Sequence, residues 1–159
     1  MLFVIDLKSR HVHLAGITTS PDSGFMAQVA RNLTDVGDGF LRLHRALILD
    51  RDTKFTAEFK RILDDAGVRV VLTPKEAPNC NAFAERFVLS IKSECLCRMI
   101  FFGEASLRRA ITEHLVHYYA ERAHQGIGNV PIAGTPHGAG EIECRERLGG
   151  ILKHYHRAA

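Results

Sequence analysis

The stretch "RALILDRDTKFTAEFKRILDDAGVRVVLT", residues 45–73, carries the reading of the fold. Its first six residues form a short apolar run ending in Asp50, the pattern of a buried strand. From Thr56 onward Phe59, Ile62, Leu63 and Ala66 recur at helical spacing, and Gly67 stops the pattern. "VRVVLT" (68–73) is again a strand, ended by Pro74. Strand, helix and strand in succession point to an α/β fold.

Working outward, residues 2–7 and 11–19 read as two strands joined into a hairpin through "LKSR". Phe25, Met26, Val29, Ala30 and Leu33 give residues 24–34 a helical face, which "DVGDG" breaks. Downstream, the Pro- and Asn-rich "PKEAPNCNA" is a loop. It feeds a helix from about Ala82 to Met99 with Phe83, Phe87, Ile91 and Cys95 on one stripe. A further helix, about 104–121, carries Leu107, Ile111, Leu115 and Tyr118. "GIGNVPIAGTPHGAG" (126–140), with five glycines and two prolines, reads as a linker, and 141–159 as a tail of two short strands around Gly149-Gly150. The expected order is α/β with mixed strand direction: a core over 1–125, the linker, then the hairpin tail.

The chain has 159 residues, 46% of them hydrophobic and 25% charged, which suits one core and excludes a low-complexity or disordered class. Its apolar runs fall well short of the ~20 residues of a membrane span. Met1 leads into a strand pattern without a basic start, so no signal peptide is expected. A net charge of +3 permits a nucleic-acid partner without requiring one. Cys95 and Cys97 are not at zinc-ligand spacing, and Cys80, Cys95, Cys97 and Cys144 read as reduced structural thiols. "HVH" (11–13) and "HYH" (154–156) alternate as strand faces do, with the histidines expected toward solvent.

Asp50 at a strand end and Glu85 in the first turn of a helix are the strongest candidate pair. Open α/β sheets bind ligands at the carboxyl ends of their strands, and carboxylates there suit Mg²⁺. By spacing alone each acid also fits a plain structural role, Asp50 capping a turn and Glu85 complementing a helix amino terminus.

"LILDRDTKFTAEFKRIL" (47–63), "TPKEAPNCNAFAERFVLSIKSECL" (73–96) and "YYAERAHQGIG" (118–128) resemble the catalytic core of insertion-sequence transposases and retroviral-type integrases, the DDE recombinases. The resemblance runs from about residue 3 to 128. It implies an RNase H-like mixed sheet flanked by helices, and DNA integration by metal-dependent phosphoryl transfer. Asp50 then matches the second catalytic acid and Glu85 the third, the two holding Mg²⁺ or Mn²⁺. Lys92, seven residues past Glu85 along the same helix, lies where the family contacts the DNA backbone, and Arg86 and Arg122 join it as DNA-binding candidates. Asp52 stands where many members have glycine and is expected to be a turn residue. DNA is the implied partner, with a homo-oligomer in the intact family and a bacterial, cytoplasmic, nucleoid-associated setting.

The resemblance also bears on Asp6, the acid closing the apolar start of "FVIDLKSR" (3–10). That run is similar to the family's second strand, "Val-Ile-Asp-x-x-Ser-Arg", and not to the first, which carries the first acid. Asp6 is therefore expected to bond backbone amides in its hairpin turn or pair with Arg10. The first strand and first acid would lie upstream, leaving two of three carboxylates. The alternative to an active core is an inactive remnant, at most a weak DNA-binding or subunit-interaction module.

Overall fold

A computed structural model describes residues 1–74, 81–134 and 138–158. Most of the loop expected after Pro74, including Cys80, and residues 135–137 of the expected linker lie outside the described residues. The chain forms two compact units. One comprises Met1–Val4 and His13–Ala84, the other Ile5–Val12 and Glu85–Ala159.

The hairpin is present as β1 (Leu2–Ile5) paired with β2 (Val12–Gly16). In the first unit, helix α1 (Ser23–Leu33) starts where the Asp22 carboxylate accepts the Phe25 N–H at 2.8 Å. It is followed by β3 (Ala46–Leu49), α2 (Ala57–Asp65) and β4 (Arg69–Leu72). Thr56 caps α2 by accepting the Phe59 N–H. Gly67, at φ 79°, closes the helix: its N–H bonds to Asp64 O and that of Val68 to Leu63 O. This is a Schellman ending, which favours glycine at the left-handed position. β3 and β4 then pair in parallel, Ala46 opposite Arg69 through Leu49 opposite Leu72. α1 packs on α2, and both close over a core of Met26, Leu33, Leu47, Phe59, Leu63 and their neighbours.

The second unit is built on α3 (Ala82–Glu94) and α4 (Gly103–Ala120), with Phe87, Ile91, Cys95, Ile111 and His114 fully buried. α3 stops before the expected Met99, giving way to a single 3-10 turn at Leu96–Arg98. β5 (Ile142–Arg147) and β6 (Leu152–Arg157) form an antiparallel hairpin against α4. Its turn is made by Leu148, Gly149 and Gly150, all at positive φ.

The secondary structure is mixed α/β, and each of the expected helices and strands is present. Where one sheet is expected, the described strands pair as three separate two-stranded ladders. Ile48, read as part of a buried run, is 42% exposed, because β3 packs one face on the core and its ladder leaves the other open. In "HYH" the expected facing is reversed: Tyr155 is exposed and His154 and His156 are half-buried, their rings stacked 5.4 Å apart. Buried Leu152 fixes this phase, since residues two apart share a strand face. Phe83 is also more exposed than its stripe implies, at 43%. Among the described residues Cys95, Cys97 and Cys144 are free thiols, and burial pushes the Cys95 thiol up from its ordinary pKa.

Candidate active site

Asp50 follows the last residue of β3 and is exposed. It therefore stands at the carboxyl end of a parallel strand pair, beside the point where Thr73 N–H bonds to Leu49 O at 2.9 Å. The loop that follows is braced by its own sequence. Asp50 Oδ1 accepts the Asp52 N–H at 3.1 Å, and Arg51 Nε donates to Thr73 O at 3.0 Å across the strand ends. Phe55 anchors the loop in the core, 5.3 Å from the ring of Phe59. Asp52 takes the Lys54 backbone N–H and its ammonium group, whose hydrogen bond holds the carboxyl below its usual range. It behaves as a turn residue.

Asp6 is engaged in its hairpin turn, as expected. Its Oδ1 accepts the N–H groups of Lys8 and Ser9, both at 2.7 Å. The backbone closes around it, with Asp6 N–H to His11 O and Arg10 N–H to Asp6 O, and Arg10 adopts φ 61°.

In the second unit, Glu85 lies in the first turn of α3, with Arg86 next to it and Lys92 in the last turn. All three are exposed, as is Leu89 between them, so α3 presents a mixed acidic, basic and apolar stripe. Arg122 is differently placed. Its Nε donates to Glu94 Oε1 at 3.0 Å and its guanidinium lies over the Tyr118 ring. Asp50 and Glu85 belong to separate compact units. Both offer oxygen donors, the kind a hydrated Mg²⁺ takes. Among the described residues no three His, Cys, Asp or Glu side chains gather as a metal-holding group.

The second unit also contains a buried ionic network that sequence reasoning missed. Glu121 has 2% of its side chain exposed and receives two Arg147 hydrogen bonds, at 2.7 and 2.9 Å, plus His117 Nδ1 at 3.1 Å. Arg147 extends to Glu113 at 2.9 Å. Nearby, Glu94 pairs with Arg122 and faces the buried His114 at 3.4 Å. Burial pushes both carboxyls up, but hydrogen bonds from His114 and Arg122 to Glu94, and from Arg147 and His117 to Glu121, outweigh it and hold each at about 2. His117 is itself lowered, burial outweighing the pull of Glu121. The His117–Glu121 pairing at four residues was the one sequence signal for this network.

Residues 66–131 match the integrase core domain family, a span that begins after Asp50 and includes Glu85, Arg86, Lys92 and Arg122. That stretch of the chain is similar to an integrase core. It is also similar to an uncharacterized 39.2 kDa protein of insertion element IS476 from Xanthomonas euvesicatoria, at 29% identity over 113 residues. That match covers 70% of this chain and 33% of the relative, so the chain spans about a third of the relative's length. Among the described residues, no helix is long and apolar enough to cross a membrane.

Proposed function

We propose that this chain is an integrase core, the RNase H-like catalytic part of a DDE transposase, cutting and joining DNA strands by phosphoryl transfer. The observation that carries the reading is Asp50 at the carboxyl ends of the parallel β3–β4 pair, the position at which such folds bind ligands. Asp50 and Glu85 would hold Mg²⁺ or Mn²⁺, which when bound activates the attacking oxygen and stabilises the leaving one. The N–H of Asp52 orients Asp50 Oδ1. Exposed Arg86 and Lys92 on α3 would neutralise phosphates of the bound strand. Arg122, already paired with Glu94, would add to the positive field from a fixed position. DNA is the partner on this reading, in a bacterial cytoplasm at the nucleoid. Joining two DNA ends calls for more than one copy of the chain.

A second reading is a DNA-binding or subunit-interaction module without strand-transfer chemistry. Asp6 favours it: a three-carboxylate centre needs one more acid, and the Asp6 carboxylate is engaged by the Lys8 and Ser9 amides. With two acids, metal would be held weakly and placed poorly.

A strand-nicking assay with Mn²⁺ on generic and terminal-repeat duplexes separates the two. The catalytic reading expects nicking that disappears in both Asp50→Asn and Glu85→Gln. DNA binding without nicking in the unaltered chain selects the module. Nicking that survives both substitutions overturns the assignment of the acids.

A further inference from the structure

The segment joining the 3-10 turn to α4 exposes Ile100 at 83% and Phe102 at 87%. Single exposed apolar side chains are ordinary, but two this large on one short connection are a feature to account for. The backbone presents them. Phe102 is the residue before α4, where no side chain caps the helix, and Gly103 turns the chain at φ 80°.

The surroundings of this pair are cationic. Arg98 Nε donates to Ser93 O at 2.9 Å, which folds its guanidinium back onto the carboxyl end of α3, one residue from Lys92. Arg109 stands on α4 beside Ala110, whose carbonyl oxygen lies 3.8 Å from Cys95 Sγ at the end of α3. Lys92, Arg98 and Arg109 are exposed and form no salt bridge among the described residues, whereas the nearby Glu104 is taken by Arg108 at 2.7 Å. An apolar tip between uncompensated cations suits a polyanion with an apolar interior.

We propose that Ile100 and Phe102 form a wedge that enters a base step of duplex DNA, with Lys92, Arg98 and Arg109 on the flanking phosphates. Apolar side chains inserted in this way unstack a step and kink the duplex, and the bend brings more phosphate into contact with the protein. The wedge rests on the DNA-acting part of the proposed function. It does not depend on the metal, Asp50 or Glu85.

The test uses the full chain and a short random-sequence duplex carrying 2-aminopurine, with affinity read by fluorescence anisotropy over a range of salt. Binding by the unaltered chain should raise 2-aminopurine emission as steps unstack. The double variant Ile100→Ser, Phe102→Ser should bind about tenfold more weakly, as expected for lost base–side-chain contact. It should also lose the emission rise and keep its salt slope. Lys92→Gln with Arg109→Gln should do the opposite, reducing the log–log salt slope by about two while retaining emission at saturation. Both variants alter exposed side chains, so far-ultraviolet dichroism and melting should be unchanged. Undiminished affinity and emission in the serine variant overturn the wedge. So does a fall in its sedimentation coefficient with unstacking preserved, which would assign the loop to a second copy of the chain. If the unaltered chain binds no duplex at any salt, the wedge and the proposed function both fall. Loss of unstacking in the serine variant, in a chain that never nicks, leaves the wedge standing and removes only the catalytic reading.

Discussion

Glu121 is nearly sealed from water, and its charge is tolerable because Arg147 and His117 occupy its oxygens. Removing one partner of such a pair leaves an uncompensated buried charge. Arg147→Met should therefore destabilise the chain by about 3–5 kcal/mol in urea unfolding. Adding Glu121→Leu should recover much of that loss, because the stranded carboxylate goes too. Asp6 marks the opposite extreme. Its hydrogen bonds are short, but they lie in an exposed turn and satisfy amides that water could also reach. Asp6→Asn should cost at most about 1 kcal/mol and leave Mn²⁺ affinity unchanged by titration calorimetry. A large fall in affinity would return Asp6 to the list of metal ligands.

At the scale of elements, α2 shows how local chemistry sets boundaries. Thr56 and Gly67 bracket it, one by a side-chain cap and the other by a left-handed turn. Thr56→Ala should cost about 1 kcal/mol by loss of the cap. Gly67→Ala should cost a similar amount, and its cause can be isolated. A Cβ at Gly67 would meet nothing within 4 Å, so the penalty would be backbone strain alone. A Gly67→Asn variant should recover part of it, since asparagine tolerates positive φ. Such signals are carried by a few neighbouring residues, which is why both helix ends were legible in the sequence. Strand facing was not. Alternation says which residues of 152–157 share a side, but buried Leu152 had to fix which side is inward, and that turned His154 and His156 away from solvent. The same limit applies to α4, whose buried face includes His114 and His117 beside Ile111 and Tyr118. The carboxylate that His114 meets, Glu94, is 20 residues away in the chain. For the candidate site, Asp50 and Glu85 are nominated by a sequence motif, and the structure shows only that both are exposed, one at a strand end and one in a first helical turn. Arg122 was named for DNA from the same motif, and its pairing with Glu94, 28 residues away, was visible only in three dimensions.

Across the whole molecule, the two units depend on different forces and should respond differently to acid. The first closes over an apolar cluster from Val4 to Val68, and its shifted carboxyls, Asp35 and Asp52, sit at the surface in local turns. The second keeps Glu94 and Glu121 ionised inside it, each at about 2. A carboxyl held below its unfolded value contributes stability that is complete above that value, near 4.5, and is lost as pH falls through the folded one. Each of these two groups can contribute roughly 3 kcal/mol at most by this linkage, less where Arg122 is open to solvent. His117 acts in the same direction but earlier. Its folded pKa lies below the ordinary value of 6.5, so the unfolded chain takes up the proton first and stability begins to fall below that pH. Stability of the second unit should therefore decline gently from about pH 6.5 and steeply between about 4.5 and 2. Among the described residues of the first unit the shifted carboxyls are at the surface, so its stability should depend less on acid. Hydrogen exchange followed by mass spectrometry checks it directly: as pH is lowered from 7 to 3, after correction for intrinsic rates, peptides from α3 and α4 should lose protection while those from α1 and α2 keep theirs. Replacing both Glu121 and Arg147 with apolar residues should make the lower part of the profile shallower, because one of the two carboxyls whose protonation drives it is gone while Glu94 remains. Equal loss of protection in both units would mean that they unfold as one body, with the ionic network setting the acid limit of the entire chain.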